Sequence, residues 1–189
     1  PFLRVNDMAF LQHFLPWQAL EENRHTSLGL QSKLDYQLGD VLLVSGLDID
    51  YTQGSLVETQ DQDFSPAIPA GTHYDYQVKA TQLAAYTQAQ WSVEQWQFRL
   101  GARLERNVYN YDNRADGPIA CAPSVALCRF SRPADQSPSF TALSPSANAQ
   151  YQISPNAFWY VKYSQGFRAP QASELFRLQN NQQVSDIDN

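Results

Sequence analysis

Alternation of apolar and polar residues with a period of two is the feature that most constrains this chain. In the stretch 96–105 the apolar face consists of Trp96, Phe98, Leu100, Ala102 and Leu104. Similar alternation occurs over 27–36, 46–52, 82–91, 143–153 and 159–168. Side chains of a β-strand point to opposite faces in turn, so this pattern predicts strands with one apolar face. No helical period competes over a comparable stretch, and we expect an all-β fold.

The connections between the predicted strands alternate in length. Tight turns rich in Gly, Pro, Asn and Ser are expected at Leu38–Asp40, Ser92–Gln95 and Ser154–Asn156. Long loops are expected over 11–25, 54–75 and 111–139, with another from Pro170 onward. Soluble domains rarely hold several loops longer than about 12–15 residues, whereas transmembrane barrels combine short periplasmic turns with long extracellular loops. The order therefore predicts an antiparallel transmembrane β-barrel segment of about six to seven strands, the seventh contributed by residues 5–10.

Hydropathy and aromatic placement agree with strands that cross a membrane. No apolar run approaches 18 residues and the mean hydropathy is -0.47, which excludes a transmembrane helix but not a barrel strand. Trp91, Trp96 and Trp159 lie close to the predicted tight turns, where a periplasmic aromatic girdle belongs. The alternative is that these aromatics form the core of a soluble β-sandwich.

Charge and cysteine content narrow the classes of function. The net charge of -6 argues against a nucleic-acid surface. Cys121 and Cys128 supply too few ligands for a structural zinc site, so a local disulfide in an oxidising compartment fits better. No nucleophile context, phosphate-binding glycine loop or carboxylate pair is recognisable, and neither an enzyme nor a bound cofactor or metal is expected. His13, His25 and His73 fall in predicted long loops, where we expect them to be solvated.

The stretch 158–176 carries the most specific motif. Its aromatic strand leads into Gly166, Phe167, Arg168, Ala169 and Pro170, and a Glu-Leu pair follows at 174–175. This passage resembles the TonB-dependent outer-membrane receptors, as do the stretches 84–86, 100–104 and 140–153. Leu104-Glu105 departs from the family, which often has Tyr-Asp at this point.

The resemblance implies a wall segment of a 22-stranded barrel in the bacterial outer membrane, with the N-terminal plug domain expected to be absent from this chain. It implies uptake of ferric siderophores or similar iron chelates. The implied partners are TonB, acting through the plug, the ferric chelate, and outer-membrane lipid and lipopolysaccharide. Alternatives are a passive porin, a receptor for cobalamin, a saccharide or haem, and a secreted adhesive β-sandwich. The haem alternative is weakened because no His follows Pro170.

Two groups of residues are candidates for ligand contact. Arg99, Arg103 and Arg168 are predicted to form an inward row facing Asp48, Asp50, Glu105 and Lys162, where arginines suit anionic chelates. Tyr74, Tyr76, Tyr109, Tyr111 and Phe130 are predicted to form an aromatic surface on the loops. The alternatives are a mutually neutralised, hydrated wall for the first group and ordinary loop packing for the second.

Overall fold

The computed structural model describes residues 1–13, 17–179 and 182–187. Eight strands form one antiparallel sheet with the path β1-β2-β4-β5-β6-β7-β8, and β3 pairs with β4 beside β2. The strands are β1 (Phe2–Leu11), β2 (Leu20–Gln31), β3 (Leu34–Leu38), β4 (Val41–Gln60), β5 (Gly71–Val93), β6 (Trp96–Asn113), β7 (Ser139–Ser154) and β8 (Ala157–Ser164). The helical elements are α1 (Ala172–Phe176) and a 3-10 turn (Val184–Asp186). Within the described residues β1 and β8 each have one strand neighbour, so the sheet is open.

The sequence predicts six to seven strands and the structure has eight, because one predicted strand is interrupted and appears as β2 and β3. Gln31 pairs with Asp48 and Leu34 pairs with Ser45, so the register on β4 continues across the break between β2 and β3. At the break the Tyr86 hydroxyl donates to the Ser32 carbonyl at 3.2 Å. The two elements therefore cross the sheet as one strand with a local irregularity.

The tight turns lie where the sequence predicts them, at Gly39, Glu94 and Pro155. Gly39 has a φ of 58°, which glycine adopts without a Cβ penalty. The predicted long loops are too long at their edges, because β2 begins at Leu20 and β4 and β5 continue to Gln60 and Gly71. The alternation over 159–168 also overestimates its strand, since β8 ends at Ser164.

The sheet has two unlike faces. We call the apolar face the one that carries Leu47, Ile49, Leu83, Leu100, Leu104 and Leu143, each about half exposed or more. Close to the tight turns this face carries an aromatic cluster, in which the Trp96 ring lies 5.9 Å from Trp159 in an edge-on arrangement. We call the opposite face the polar face. A face with this much exposed apolar surface needs a cover that the described residues do not provide.

The buried core lies at one end of the polar face, beside the long loops. It packs aromatic residues of β5 and β6 against residues 119–130 and against Leu175 and Phe176 of α1. Cys121 and Cys128 form the predicted disulfide within the loop between β6 and β7. Neither helical element of the described chain is long and apolar enough to cross a membrane.

Candidate functional site

The chain that follows β8 folds back over the polar face. Tyr109 Oη donates a hydrogen bond to the Pro170 carbonyl at 2.8 Å, and Tyr74 Oη donates to the Leu178 carbonyl at 3.1 Å. The Phe176 ring stacks on Tyr111 with centroids 4.2 Å apart. We call residues 165–179 the returning segment. It begins with the Gly166–Pro170 motif and covers the end of the sheet where the long loops meet.

Arg168 and Glu174 brace the returning segment internally. The Arg168 guanidinium donates to both carboxylate oxygens of Glu174, at 2.9 and 3.0 Å. The backbone N–H of Gln171 donates to the same carboxylate at 2.7 Å, at the start of α1. The hydrogen bond from Arg168 lowers the pKa of Glu174. The prediction that Arg168 stands in a row with Arg99 and Arg103 is wrong, because β8 ends four residues earlier and Arg168 pairs within its own segment.

A buried charge cluster ties the returning segment to the sheet. Arg177 Nη1 lies 2.9 Å from Glu21 Oε2 on β2, and Arg177 Nη2 bonds to Glu58 Oε2 on β4. Gln12 Nε2 donates to Glu21 Oε2 at 2.5 Å. Glu21 and Glu58 are 4% and 1% exposed, so their carboxylates require these partners. Sequence reasoning missed Arg177 and both glutamates, because nothing local connects residues 119 and 156 positions apart.

His73 completes this cluster with contacts from both of its ring nitrogens. Its Nε2 lies 2.8 Å from the Pro69 carbonyl oxygen and its Nδ1 lies 3.0 Å from Glu58 Oε1. A carbonyl oxygen only accepts, so Nε2 carries the hydrogen of the contact with Pro69. Both ring nitrogens of His73 therefore have a partner, and Arg177 lies opposite the two carboxylates.

A register shift explains why His73 is buried. The pairing of β4 with β5 slips between Glu58 and Thr59, which leaves an extra residue in β5. His73 and its neighbour Tyr74 both become buried, at 0% and 4% exposure. The His73 ring stacks on Phe130 with centroids 3.7 Å apart. The expectation of a solvated loop histidine is wrong for this reason.

Arg132 fixes the loop between β6 and β7 onto this end of the sheet. Its guanidinium donates to the carbonyl oxygens of His73 at 2.9 Å and of Ile119 at 3.1 Å. It also donates to the carbonyls of Thr72 and Asp116. Burial lowers the pKa of Arg132, although the carbonyl oxygens satisfy its donors. One side chain thus joins the start of β5 to both halves of the loop.

The four candidate tyrosines lie on strands rather than on loops. Tyr74 and Tyr76 belong to β5, and Tyr109 and Tyr111 belong to β6. Three of them are at most 4% exposed, and burial raises the pKa of Tyr74 to about 12. The loop placement is therefore wrong. Their burial supports the packing alternative, and in this arrangement they form the support of the returning segment instead of an open aromatic surface.

The polar face further along the strands carries the remaining candidates. Arg103 donates to Asp48 at 2.6 Å and to Glu105 at 3.1 Å, so two carboxylates surround one guanidinium. Arg99 donates to the amide oxygen of Gln90 at 3.1 Å. The Arg103 contacts match the neutralised-wall alternative. Arg99 has no acidic partner within the described chain.

A cavity of about 520 Å³ lies on the polar face beside the returning segment. Its lining includes Arg4 from β1, Thr52 from β4, Tyr76 from β5 and Ser173 from α1. Pockets for small ligands commonly have about 300–1,000 Å³. Five elements contribute to the lining, so the cavity depends on the assembled sheet. No cluster of metal-ligating side chains occurs in the described part of the chain.

Comparison with protein families identifies the family of this chain. The model described as "TonB dependent receptor-like, beta-barrel" matches residues 7–188. The chain belongs to this family. TonB-dependent receptors are outer-membrane transport proteins that interact with TonB and with ferric chelates. The resemblance predicted from the Gly166–Pro170 motif is confirmed.

Comparison with solved structures shows a similar fold in a longer chain. It resembles the ferric citrate transporter FecA in the unliganded form, with a TM-score of 0.55 and 15% sequence identity. The similarity covers 85% of this chain and 22% of that one, so the chain spans about a fifth of the transporter's length. No curated protein sequence matches the chain. At this identity the likeness concerns the fold alone.

Proposed function

We propose that this chain is part of a TonB-dependent outer-membrane receptor that takes up ferric siderophores or similar iron chelates. The cavity beside the returning segment carries the proposal. It lies on the polar face at the end of the sheet where the long loops meet, which is the side of a barrel from which a ligand enters. Its volume of about 520 Å³ suits a chelate better than a single ion.

The charge of the polar face supports an anionic ligand. Arg4 lines the cavity and has no carboxylate partner within the described chain. Arg99 lines a second cavity of about 260 Å³, closer to the tight turns. Arginine without a carboxylate beside it is suited to carboxylate or catecholate oxygens of a ferric chelate. We propose that Arg4 contacts the ligand in the cavity beside the returning segment. Arg99 then contacts it in the second cavity, closer to the tight turns.

The orientation follows from the same proposal. The loops 61–70 and 114–138 and the returning segment face the outside, and the turns at Gly39, Glu94 and Pro155 face the periplasm. The apolar face contacts lipid, which supplies the cover that the described residues do not provide. TonB acts through a plug domain of the complete receptor.

Uptake by the full-length receptor tests the proposal. Iron-starved cells that carry the receptor are given radiolabelled iron chelates, beginning with ferric citrate, before and after the proton-motive force is dissipated. We expect saturable uptake that stops without energy, and Arg4→Gln should raise KM several-fold. Arg114→Gln is the matched control, because Arg114 pairs with Asp112 and does not line this cavity.

Energy-independent, non-saturable uptake of many small solutes would show a passive porin instead. Saturable, energy-dependent uptake of cobalamin or a saccharide without iron uptake would support a receptor but show that its ligand is not an iron chelate.

A further inference from the structure

Gly54 is a strand glycine that packing does not require. Four glycines lie in the interiors of the described strands: Gly29, Gly46, Gly54 and Gly101. At three of them a Cβ would lie between 2.2 and 3.0 Å from a neighbouring atom, so a neighbour would have to shift. At Gly54 the nearest atoms would lie 3.5 Å away, which is an ordinary van der Waals contact. The sheet therefore has space for a side chain at this position and leaves it empty.

The backbone at Gly54 gives no reason for glycine either. Its φ lies outside the positive range in which glycine is favoured. β4 pairs in regular register on both sides of this position, with His25 of β2 and with Val78 of β5. Glycine inside a strand weakens it, and it often marks a place where a ligand approaches the backbone closely. The empty position therefore points to a ligand that approaches the strand here.

Gly54 lies in the floor of the cavity beside the returning segment. His25 and Val78 line the same cavity, and the register sets them directly opposite Gly54 on its two sides. Adjacent strands are about 4.8 Å apart, so these two positions are separated by about 9–10 Å. A flat ring halfway between them would lie about 5 Å from each, a separation at which aromatic rings stack. The missing side chain thus leaves a slot that suits a ring.

The side chains around this slot divide into an apolar part and a polar part. Leu56 and Tyr76 line the cavity on the side of the long loops. Arg4 and Asn6 line it from β1, where Asn6 pairs with His25. His25 is half-buried and takes part in no hydrogen bond or ion pair within the described residues, so its imidazole is available to a ligand. An iron chelate that carries its oxygens on aromatic rings, a catecholate, matches both parts, because the guanidinium and the amide donate to oxygens.

We propose that Gly54 is the specificity-determining residue of this cavity and that its empty position admits an aromatic ring of a ferric catecholate. The ring lies in the slot between His25 and Val78, and the anionic oxygens of the complex face Arg4. This assignment rests on the proposed uptake of iron chelates and names the class of chelate. A side chain at position 54 fills the slot and excludes the ring, whereas a chelate without rings still binds at Arg4.

Binding of radiolabelled iron chelates to the purified full-length receptor in detergent tests this role. The probes are the ferric complex of catechol, which has aromatic rings, and ferric citrate, which has none. Gly54→Val should weaken binding of the catechol complex about tenfold, because its methyl groups occupy the slot. Binding of ferric citrate should change by no more than about twofold, which also shows that the variant is folded. Gly54→Ala adds one methyl group and should lie between the parent and Gly54→Val.

Gln53→Val is the matched control. It places the same side chain on the opposite face of the same strand, outside this cavity. The control should bind both probes as the parent does, because the slot stays empty.

Three outcomes would overturn the role of Gly54. Parental binding of the catechol complex by Gly54→Val would show that no ring occupies the slot. Equal loss of both probes in Gly54→Val, or the same loss in Gln53→Val, would indicate general damage to the receptor. A parent that binds no catechol complex would exclude a catecholate. Binding that depends on the side chain at position 54 without uptake of iron by cells would refute the proposed transport alone, so the two proposals can fail separately.

Discussion

At the scale of single residues, the buried charges beside the loops are balanced by a set of partners from distant parts of the chain. Glu21 and Glu58 come from β2 and β4, and Arg177 comes from the returning segment. His73 Nδ1 adds a contact with Glu58 Oε1 at 3.0 Å. Removal of one member leaves an uncompensated charge in a site with almost no solvent. The resulting loss of folding stability exceeds the stability that the intact pair contributes.

Arg177→Met tests this balance. The substitution keeps much of the side-chain volume but leaves two carboxylates side by side. We expect the free energy of local opening of the returning segment to fall by about 3–5 kcal/mol. Amide hydrogen exchange over residues 165–179 in the full-length receptor measures it. Arg168→Met breaks the exposed pair with Glu174 and should change exchange little; similar effects from both variants would refute a special role for the buried cluster.

At the scale of elements, the break between β2 and β3 is fixed by a close approach. A Cβ built on Gly46 would lie 2.2 Å from the Ser32 carbonyl oxygen and 2.5 Å from the Tyr86 ring. Backbone atoms on the neighbouring strand cannot move aside as a flexible side chain can. Glycine at this position therefore lets β4 pair continuously with β2 and β3 while the Tyr86 ring lies across the break.

Gly46→Ala should destabilise the barrel by about 1–3 kcal/mol, because it forces the strands apart at Ser32. The folded fraction during denaturant titration in detergent is the readout. Gly54→Ala is the control on the same strand, since its Cβ would meet no atom closer than 3.5 Å. A Gly46 variant as stable as the Gly54 variant would show that the break tolerates a side chain.

At the scale of the whole molecule, the two faces of the sheet differ in polarity. Leu100 is 51% exposed on the apolar face, at about the middle of the stretch between Trp96 and Arg106. Gln97 lies on the opposite face of the same strand. If lipid covers the apolar face, a charge at Leu100 enters hydrocarbon and a charge at Gln97 enters a hydrated interior.

Leu100→Arg is therefore expected to cost about 2–4 kcal/mol of folding free energy in lipid vesicles. Gln97→Arg, with the same added charge, should cost much less. Reversible unfolding of the full-length receptor in vesicles measures both. Equal tolerance of the two substitutions would contradict a lipid-facing surface at Leu100.

The sequence predicts the features that short-range physics determines. The alternation over 96–105 predicts β6, and turn chemistry predicts the connections at Gly39, Glu94 and Pro155. The disulfide is also predictable, because Cys121 and Cys128 are close along the chain. In each case the interacting residues are neighbours, so their pattern is visible without the fold.

The candidate site is only partly predictable, because its contacts join remote residues. The pattern predicts that Arg103 shares a face with carboxylates, and in the structure it contacts Asp48 and Glu105. The burial of His73 depends on a register shift between β4 and β5, and Arg177 reaches strands more than a hundred residues earlier. Neither relationship leaves a periodic signal.

The bond between Arg177 and Glu21 has a consequence for how the wall is assembled. It joins residues 156 positions apart, and Arg177 also contacts Glu58, so one side chain connects the returning segment with β2 and β4. Contacts of such long range form late, because the chain must first lose the entropy of the whole intervening loop. We therefore expect the returning segment to dock only after the strands of the sheet have paired. The time at which the returning segment becomes resistant to protease should consequently report when the sheet is complete.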